Sequence, residues 1–215
     1  LRDRIIHRLI IHNYYLRSIG AKEYNQVMLT QILGSKPGLI LIFGGEWLLP
    51  QTVDALQKHH AFVAIINGDN PYAPHYASRP EMLLTAKVCD AYFIWSELLA
   101  QRLRGDGVPA HFLPFAWDEA VFPHFEVVDS YESDVSFIGG WDQDRELFLD
   151  VIAVHFPLKI WGHDYWQKRT SLSSLSKKAW QGTELRSSKA AQMIARSKIN
   201  LNILRKQHHT DGIAD

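Results

Sequence analysis

The sequence lacks the features of several large classes of protein. Its 215 residues include one cysteine, Cys89, which cannot form an internal disulfide, so a disulfide-stapled secreted domain is excluded. Lysine plus arginine and aspartate plus glutamate number 23 each, so no net charge favours nucleic acid or an anionic membrane as a partner. The longest apolar runs, such as residues 39–43, are far shorter than the ~20 residues that span a bilayer. These absences predict a globular, cytoplasmic protein without a transmembrane segment.

Several motifs of catalytic and cofactor sites are missing as well. The adjacent pairs His59-His60 and His208-His209 do not have the helical spacing of zinc ligands, and no H-E-x-x-H occurs. No third glycine follows Gly139-Gly140, which disfavours a nicotinamide cofactor. The absence of G-x-S-x-G leaves hydrolase chemistry without a visible nucleophile. We therefore expect neither a catalytic metal nor a bound cofactor.

The two ends of the sequence predict a longer natural chain. Residues 1–12 carry charges inside an apolar run and lack an initiator methionine, which is atypical of a signal peptide. Residues 208–215 follow a strand-like segment without a terminating helix. We expect the chain to be truncated at both ends.

Apolar residues recur with helical and strand periods along the chain. Between Arg2 and Leu33 the spacing is helical, and it predicts two helices with an interruption near Ser18 and Gly20. Strands are predicted at 39–43, 62–66, 91–95, 110–114, 134–138, 158–161 and 199–203, and helices at 51–59, 81–88, 97–103, 143–155 and 187–196. A polar, serine-rich stretch covers residues 171–178. Short apolar strands that alternate with helices are typical of parallel sheets covered by helices.

The pattern also predicts a division into domains. Residues 116–133 are acidic, contain a proline and lack sustained periodicity, as expected of a connection. We therefore predict an α/β protein with two Rossmann-like domains that face a cleft. The N-terminal domain covers residues 1–116, the linker 117–133 and a partial C-terminal domain 134–215. Ligands of such sheets bind beyond the carboxyl ends of the strands, so the loops after the strands are the candidate sites.

The loop after the predicted strand at 134–138 is the first candidate. Gly139 and Gly140 would let main-chain amides approach a diphosphate at the start of the next helix, and Arg145 could pair with phosphate oxygens. A simple turn followed by a solvated arginine explains the same residues. Asp142 and Asp144 have a spacing that can hold a divalent cation, but helix capping and the helix dipole explain them adequately.

Acidic residues follow the first two strands. Asp69 could serve as a base or accept a hydrogen bond from a sugar hydroxyl, and Glu46, after Gly44-Gly45, has the equivalent position in the preceding unit. Turn chemistry explains these residues equally well. Five tryptophans at or just past predicted strand ends could stack on a base or sugar, although core packing is the general expectation for each: Trp47, Trp95, Trp117, Trp141 and Trp161.

Five segments occur in an order that resembles a known family. They are GDNP (68–71), LPFAWDEAVFP (113–123), DVSFIGG (134–140) with an arginine shortly after it, KIWGHDYW (159–166) and SKINLNILR (197–205). Together they resemble the CgeB-like, spore-maturation branch of the GT-B glycosyltransferases, whose members show similar segments in the same order. The resemblance covers most of the chain from about Asp69 onward and is weaker before it.

The resemblance implies a two-domain GT-B fold that transfers a sugar from a nucleotide diphosphate sugar to a glycan, protein or small-molecule acceptor. The donor would bind mainly the C-terminal domain through Gly139, Gly140, Arg145, Gly162, Asn202 and Arg205. The N-terminal domain would face the acceptor, with Asp69 as the catalytic residue and Gly45 and Glu46 on the acceptor side. Enzymes of this fold generally use helix dipoles and basic side chains rather than a metal to stabilise the leaving diphosphate.

One departure from the family leaves alternatives open. In relatives, the segment that corresponds to 197–205 is followed by an acidic residue that commonly binds the donor ribose, whereas this chain ends at Asp215 before any such element. A sugar-nucleotide epimerase of the same fold is one alternative. A non-catalytic module that binds a glycan or a partner protein is another.

Overall fold

The structure is a computed structural model, and it describes residues 14–72, 80–116, 118–123, 132–170 and 174–204. The described residues up to Phe115 form one compact unit, unit 1, and those from Ala116 onward form a second, unit 2. Each unit contains a parallel β-sheet with helices, so the protein is of the mixed α/β class, as predicted. None of the described helices has both the length and the apolar character that a membrane span needs.

Unit 1 contains a four-stranded parallel sheet. Its elements are α1 (Tyr14–Ser35), β1 (Leu39–Phe43), α2 (Pro50–Lys58), β2 (Phe62–Asn67), α3 (Pro80–Val88), β3 (Ala91–Ile94), α4 (Glu97–Gly105) and β4 (Ala110–Phe112). The strands lie in the order β1-β2-β3-β4, and every neighbouring pair is parallel. All four carboxyl ends therefore lie at one edge of the sheet.

The core of unit 1 is built from alternate strand residues and from the inner faces of helices. Ile40, Val63 and Ile65 belong to one buried cluster with the helix residues Val53 and Leu99. Burial of each such side chain stabilises the fold by about 1.5–3 kcal/mol. Cys89 belongs to the same cluster, and burial raises the pKa of its thiol to about 12.

The predicted interruption near Ser18 and Gly20 is wrong, because α1 runs without a break from Tyr14 to Ser35. A glycine inside a helix costs only about 0.5–1 kcal/mol, which tertiary contacts can offset. One such contact is made by Asn25, whose Nδ2 donates to the Trp47 carbonyl at 2.6 Å while its Oδ1 accepts from the Leu49 amide at 3.0 Å. The part of the predicted helices before residue 14 lies outside the described residues.

Unit 2 contains a three-stranded parallel sheet. Its elements are β5 (Ser133–Ile138), α5 (Gln143–His155), β6 (Leu158–Trp161), α6 (Tyr165–Lys168), α7 (Leu175–Ala179), α8 (Ser187–Ala195) and β7 (Ser197–Leu201). The strand order is β6-β5-β7, and an isolated parallel bridge between Ile160 and Trp180 adds one more position beside β6. If β5, β6, the Trp180 position and β7 are numbered 1 to 4 along the chain, their order across the sheet is 3-2-1-4, with which a Rossmann sheet begins.

The strand order of unit 2 reverses between β5 and β7. The chain moves from β5 to β6 and Trp180, and then returns to the far side of β5 as β7. Right-handed crossovers put α5 and α7 on one face of the sheet and α8 on the other. In agreement, α7 packs on α5, where the Asp150 carboxylate accepts hydrogen bonds from Ser174 Oγ at 2.7 Å and from the Ser176 amide at 2.8 Å. Parallel sheets bind ligands at such a reversal.

The predicted strands and helices after Pro37 are confirmed, and those ends that differ are shifted by one or two residues. The bounds of α5 and β6 agree with the predicted 143–155 and 158–161, whereas β7 begins and ends two residues before the predicted 199–203. Two short helices, α6 and α7, were not predicted. The second of them has only five residues and overlaps the stretch interpreted as polar and serine-rich.

Candidate functional site

The residues predicted to bind a donor meet at the strand reversal of unit 2. Gly139 and Gly140 follow β5, and Asn202 follows the neighbouring parallel strand β7, so these residues lie at adjacent carboxyl ends. Arg145 lies in the first turn of α5 and contacts both loops. Asn202 is exposed, and Arg205 lies outside the described residues. Gly139, Gly140, Arg145 and Asn202 are thus brought together at one edge of the sheet, where Gly162 packs against Gly139.

Arg145 ties the loop after β5 to the segment after β7. Its Nε and Nη2 donate to the Ile203 carbonyl at 3.0 and 2.5 Å, and its Nη1 donates to the Gly140 carbonyl at 3.0 Å. The guanidinium also lies 5.3 Å from the centre of the Phe137 ring, and only 13% of the side chain is exposed. Since these donors are directed to main-chain carbonyls, the geometry favours a positioning role. Contact between Arg145 and a phosphate stays a prediction.

Asp142 caps helix α5. It occupies the N-cap position, and its Oδ1 accepts a hydrogen bond from the Arg145 amide at 2.9 Å. This bond confirms the capping interpretation of Asp142, while Asp144 lies in the first turn, where a negative charge suits the helix dipole. Within the described ranges, no group of three histidine, cysteine, aspartate or glutamate side chains is arranged to hold a metal ion.

Gly139 and Gly162 are required by close packing between the loops after β5 and β6. A Cβ atom on Gly162 would lie 2.1 Å from the Gly139 carbonyl oxygen, and one on Gly139 would lie 2.7 Å from the Phe137 ring. The Gly139 amide donates to the Trp161 carbonyl at 2.9 Å. Packing alone therefore explains both glycines, and it fixes the main chain at this edge of the sheet.

Two tryptophans that sequence reasoning missed hold these loops. Trp166 is fully buried, and its indole Nε1 donates to the Gly139 carbonyl at 2.9 Å. The Trp180 Nε1 donates to the Gly162 carbonyl at 3.0 Å. Both lie away from predicted strand ends, so the rule that selected the other tryptophans did not find them. The position of Trp166, four residues after Gly162 in the segment 159–166, was the feature of the sequence that could have indicated its contact with these loops.

Arg169 was also missed, and it offers a cation near the same loops. Its guanidinium lies 4.4 Å from the centre of the Tyr165 ring and 5.7 Å from that of Trp141. The Trp141 ring is held in turn by Glu146, whose Oε2 accepts from its indole nitrogen at 2.7 Å. Arg169 is exposed, and its side chain forms no ion pair or hydrogen bond with any other described residue. Its donors are therefore available to an anionic ligand.

The carboxyl edge of unit 1 carries the predicted acceptor residues. Gly44 and Gly45 have φ angles of 77° and 86°, so this turn requires glycine, and the Gly44 amide donates to the Ile66 carbonyl at 2.9 Å. Glu46 is half-buried beside that turn. Asp69 is half-buried after β2, and its amide donates to Asn67 Oδ1 at 3.0 Å. The loops after β1 and β2 adjoin, so both carboxylates lie at the same edge.

Exposed aromatic rings accompany these carboxylates. Phe115 is 74% exposed and stacks on Trp95, with ring centres 6.0 Å apart and an angle of 12° between the planes. Its ring would also lie 3.9 Å from a Cβ atom placed on Gly68, the neighbour of Asp69. Phe43, at the end of β1, is 76% exposed. Aromatic faces beside carboxylates have the chemistry that binds sugars, and sequence reasoning found neither phenylalanine.

The known proteins add no family to these observations. No protein-family model matches the chain, and no curated protein is similar to it in sequence. The chemistry of the two sheet edges is therefore the basis on which a function is proposed.

Proposed function

We propose that the chain belongs to a GT-B glycosyltransferase of the CgeB-like type, which transfers a sugar from a nucleotide diphosphate sugar to an acceptor hydroxyl. The observation that supports this best is the meeting of Gly139, Gly140, Arg145 and Asn202 at the strand reversal of unit 2. Open α/β sheets bind nucleotides at such a reversal. In this proposal unit 2 is the donor domain and unit 1 the acceptor-side domain of a cytoplasmic enzyme.

The leaving diphosphate needs stabilisation in the proposed reaction. The acceptor oxygen forms a bond to the anomeric carbon, and the bond from that carbon to the diphosphate oxygen breaks, with the electron pair leaving on the diphosphate. Amides of the loop at Gly139 and Gly140, together with Arg169, would stabilise this charge. Arg145 would act indirectly, because it holds that loop against Ile203. Preorganised donors are effective since they need no reorientation during the reaction.

The acceptor is assigned to the carboxyl edge of unit 1. Asp69 would take the proton of the attacking hydroxyl, and Glu46 would accept a hydrogen bond from another hydroxyl of the acceptor. Phe43 and Phe115 offer exposed faces on which a sugar ring can stack. The donor is a substrate, and the proposal assigns no role to a metal ion or a further cofactor.

Direct binding measurements test the proposal. We expect one of UDP, GDP and dTDP to bind the full chain in titration calorimetry, and its sugar nucleotide to be consumed when an acceptor mixture is added. Mass spectrometry of the products would identify the glycosylated acceptor. Failure of all three nucleotides to bind at millimolar concentration would reject the proposed donor site.

A second candidate function is glycan binding without catalysis. The exposed rings of Phe43 and Phe115 beside Asp69 favour it, because they need no donor to bind a carbohydrate. Binding of oligosaccharides in a chain without nucleotide affinity or turnover would support this function. A Phe115→Ala variant would then lose glycan affinity, and an unchanged affinity would exclude that edge as the glycan site.

A further inference from the structure

A pocket of about 390 Å³ lies in unit 1 at the opposite edge of the sheet from the candidate acceptor residues. It is formed where α1 and α2 end, beside the segments that lead into β1 and β2. Its walls are apolar: Ile32, Leu33, Pro37, Ile40, Leu56 and Ala61. The volume lies in the range of small-molecule sites, which is about 300–1,000 Å³.

Basic side chains surround the mouth of this pocket. Lys36, Lys58, His59 and His60 line it, and all four are exposed. None of them forms an ion pair with a carboxylate of the described residues. The two helix ends carry the equivalent of about half a negative charge each, whereas the two lysines supply two positive charges. The mouth therefore keeps an excess of positive charge after the helix dipoles are counted.

The main chain at the mouth adopts a conformation that disfavours side chains. Lys36 and His60 have φ angles of 49° and 64°, in the left-handed region where glycine commonly ends a helix. Of the described residues other than glycine, only Ser187 shares a positive φ with them. Residues held in such conformations cluster at binding sites. Two strained residues therefore place basic side chains at the mouth of one apolar pocket.

We propose that this pocket binds an amphipathic anion that consists of one apolar chain and a terminal carboxylate. The chain would lie against Ile32 and Leu33, and the carboxylate would pair with Lys36 and Lys58. His59 and His60 would donate hydrogen bonds to the same head group. This binding is separate from the proposed sugar transfer. A free fatty acid and an anionic membrane lipid both combine an apolar chain with an anionic head group, so the experiment must distinguish them.

Dodecanoate below its micelle concentration is a suitable probe for calorimetry with the full chain. We expect saturable binding of one molecule, with an affinity about tenfold lower in the Lys36→Gln/Lys58→Gln double variant. Dodecanol should bind more weakly than dodecanoate, and its affinity should be equal in both proteins. A Lys22→Gln variant removes a charge from α1 fourteen residues before Lys36, outside the pocket lining, and it should bind dodecanoate like the unmodified chain.

A second variant tests the apolar wall. Ile32→Trp would fill the pocket, and we expect it to abolish binding of both probes while a thermal melt shows a folded protein. Equal affinities of the unmodified chain for dodecanoate and dodecanol would overturn the proposal. It would also be overturned if the Lys36→Gln/Lys58→Gln variant bound dodecanoate as tightly as the unmodified chain does. Absence of saturable dodecanoate binding would also overturn it, including the case in which only anionic vesicles bind.

Discussion

Arg145 and Ile203 are joined by a forked hydrogen bond across 58 positions of sequence. Two nitrogens of the Arg145 guanidinium donate to the single carbonyl of Ile203, and a third nitrogen holds Gly140. The arginine thus fastens the end of β7 to the loop after β5, on the two sides of the strand reversal. A planar group with several donors is needed for this arrangement, and lysine cannot reproduce it.

Replacement of Arg145 by lysine should destabilise the protein and loosen the candidate donor loop. The variant keeps the positive charge but loses the forked bonds, and we expect the free energy of unfolding to fall by about 2–3 kcal/mol. Denaturant titration measures the change. If Arg145 instead acted mainly as a charge beside a phosphate, the lysine variant would keep both its stability and its nucleotide affinity.

Replacement of Arg169 by glutamine should lower nucleotide affinity and leave the stability of the protein nearly unchanged. The Arg169 side chain is exposed and lies over the faces of Trp141 and Tyr165 without a hydrogen bond to another described residue, so stability should change by less than about 0.5 kcal/mol. Nucleotide diphosphate affinity should fall about tenfold, and its dependence on salt should weaken. Lys168→Gln removes a neighbouring charge that is paired with Asp164, and it serves as the matched control. Equal losses in the two variants would refute a specific role for Arg169.

Gly162→Ala tests the packing between the loops after β5 and β6. The added Cβ would lie 2.1 Å from the Gly139 carbonyl oxygen, so main chain must move, and the bond from Trp166 to that oxygen would be lost. We expect a loss of about 2–4 kcal/mol in the free energy of unfolding. At Gly38 a Cβ meets no atom within 4 Å, so Gly38→Ala should leave stability unchanged or slightly raise it. Similar stabilities of the two variants would contradict the packing argument.

The order of strands and helices could be predicted from sequence because apolar periodicity is a local property. The bounds of α5 and β6 follow from runs of apolar residues that end at glycine or proline. The reversal between β5 and β7 could not be predicted, since strand order depends on pairing between distant segments. The same limit hid the carbonyl partner of Arg145 at Ile203, which is far away in sequence.

The candidate site was predicted in part for the same physical reason. Glycines at strand ends indicate the loops, and these loops do meet in unit 2. Contacts that select one arginine over another are tertiary, as with the stacking of Arg169 on Trp141 and Tyr165. No pattern in the sequence distinguishes Arg169 from a solvated arginine. Exposed rings such as Phe43 are similarly hidden in runs that predict buried strands.

Replacement of Lys36 and His60, at the helix ends beside the unit 1 pocket, by glycine should stabilise the protein. Lys36 and His60 adopt left-handed conformations that cost a residue with a Cβ atom about 1 kcal/mol, which the greater freedom of glycine in the unfolded chain offsets in part. We expect Lys36→Gly and His60→Gly each to raise the free energy of unfolding by about 0.5 kcal/mol. Thermal melts at equal protein concentration measure this. Alanine at either position keeps the strain, and it should give no gain.

Asp150 should make the stability of unit 2 depend on acid pH. Burial alone would raise the pKa of this carboxyl, but hydrogen bonds from Ser176 and Ser174 outweigh it and hold the pKa below its usual value. Since the pKa is lower in the folded state, the stabilisation is present above the unfolded pKa of about 3.9 and is lost as the pH falls through the folded value. The free energy of unfolding of the unmodified chain should therefore exceed that of Asp150→Asn by about 2 kcal/mol at pH 6. This difference should narrow as the pH falls below 4. Asp54→Asn, at an exposed position of α2, controls for general effects of charge. If the stability difference between the unmodified chain and Asp150→Asn stayed constant down to pH 2.5, the ionised carboxylate would not be what holds α7 on α5.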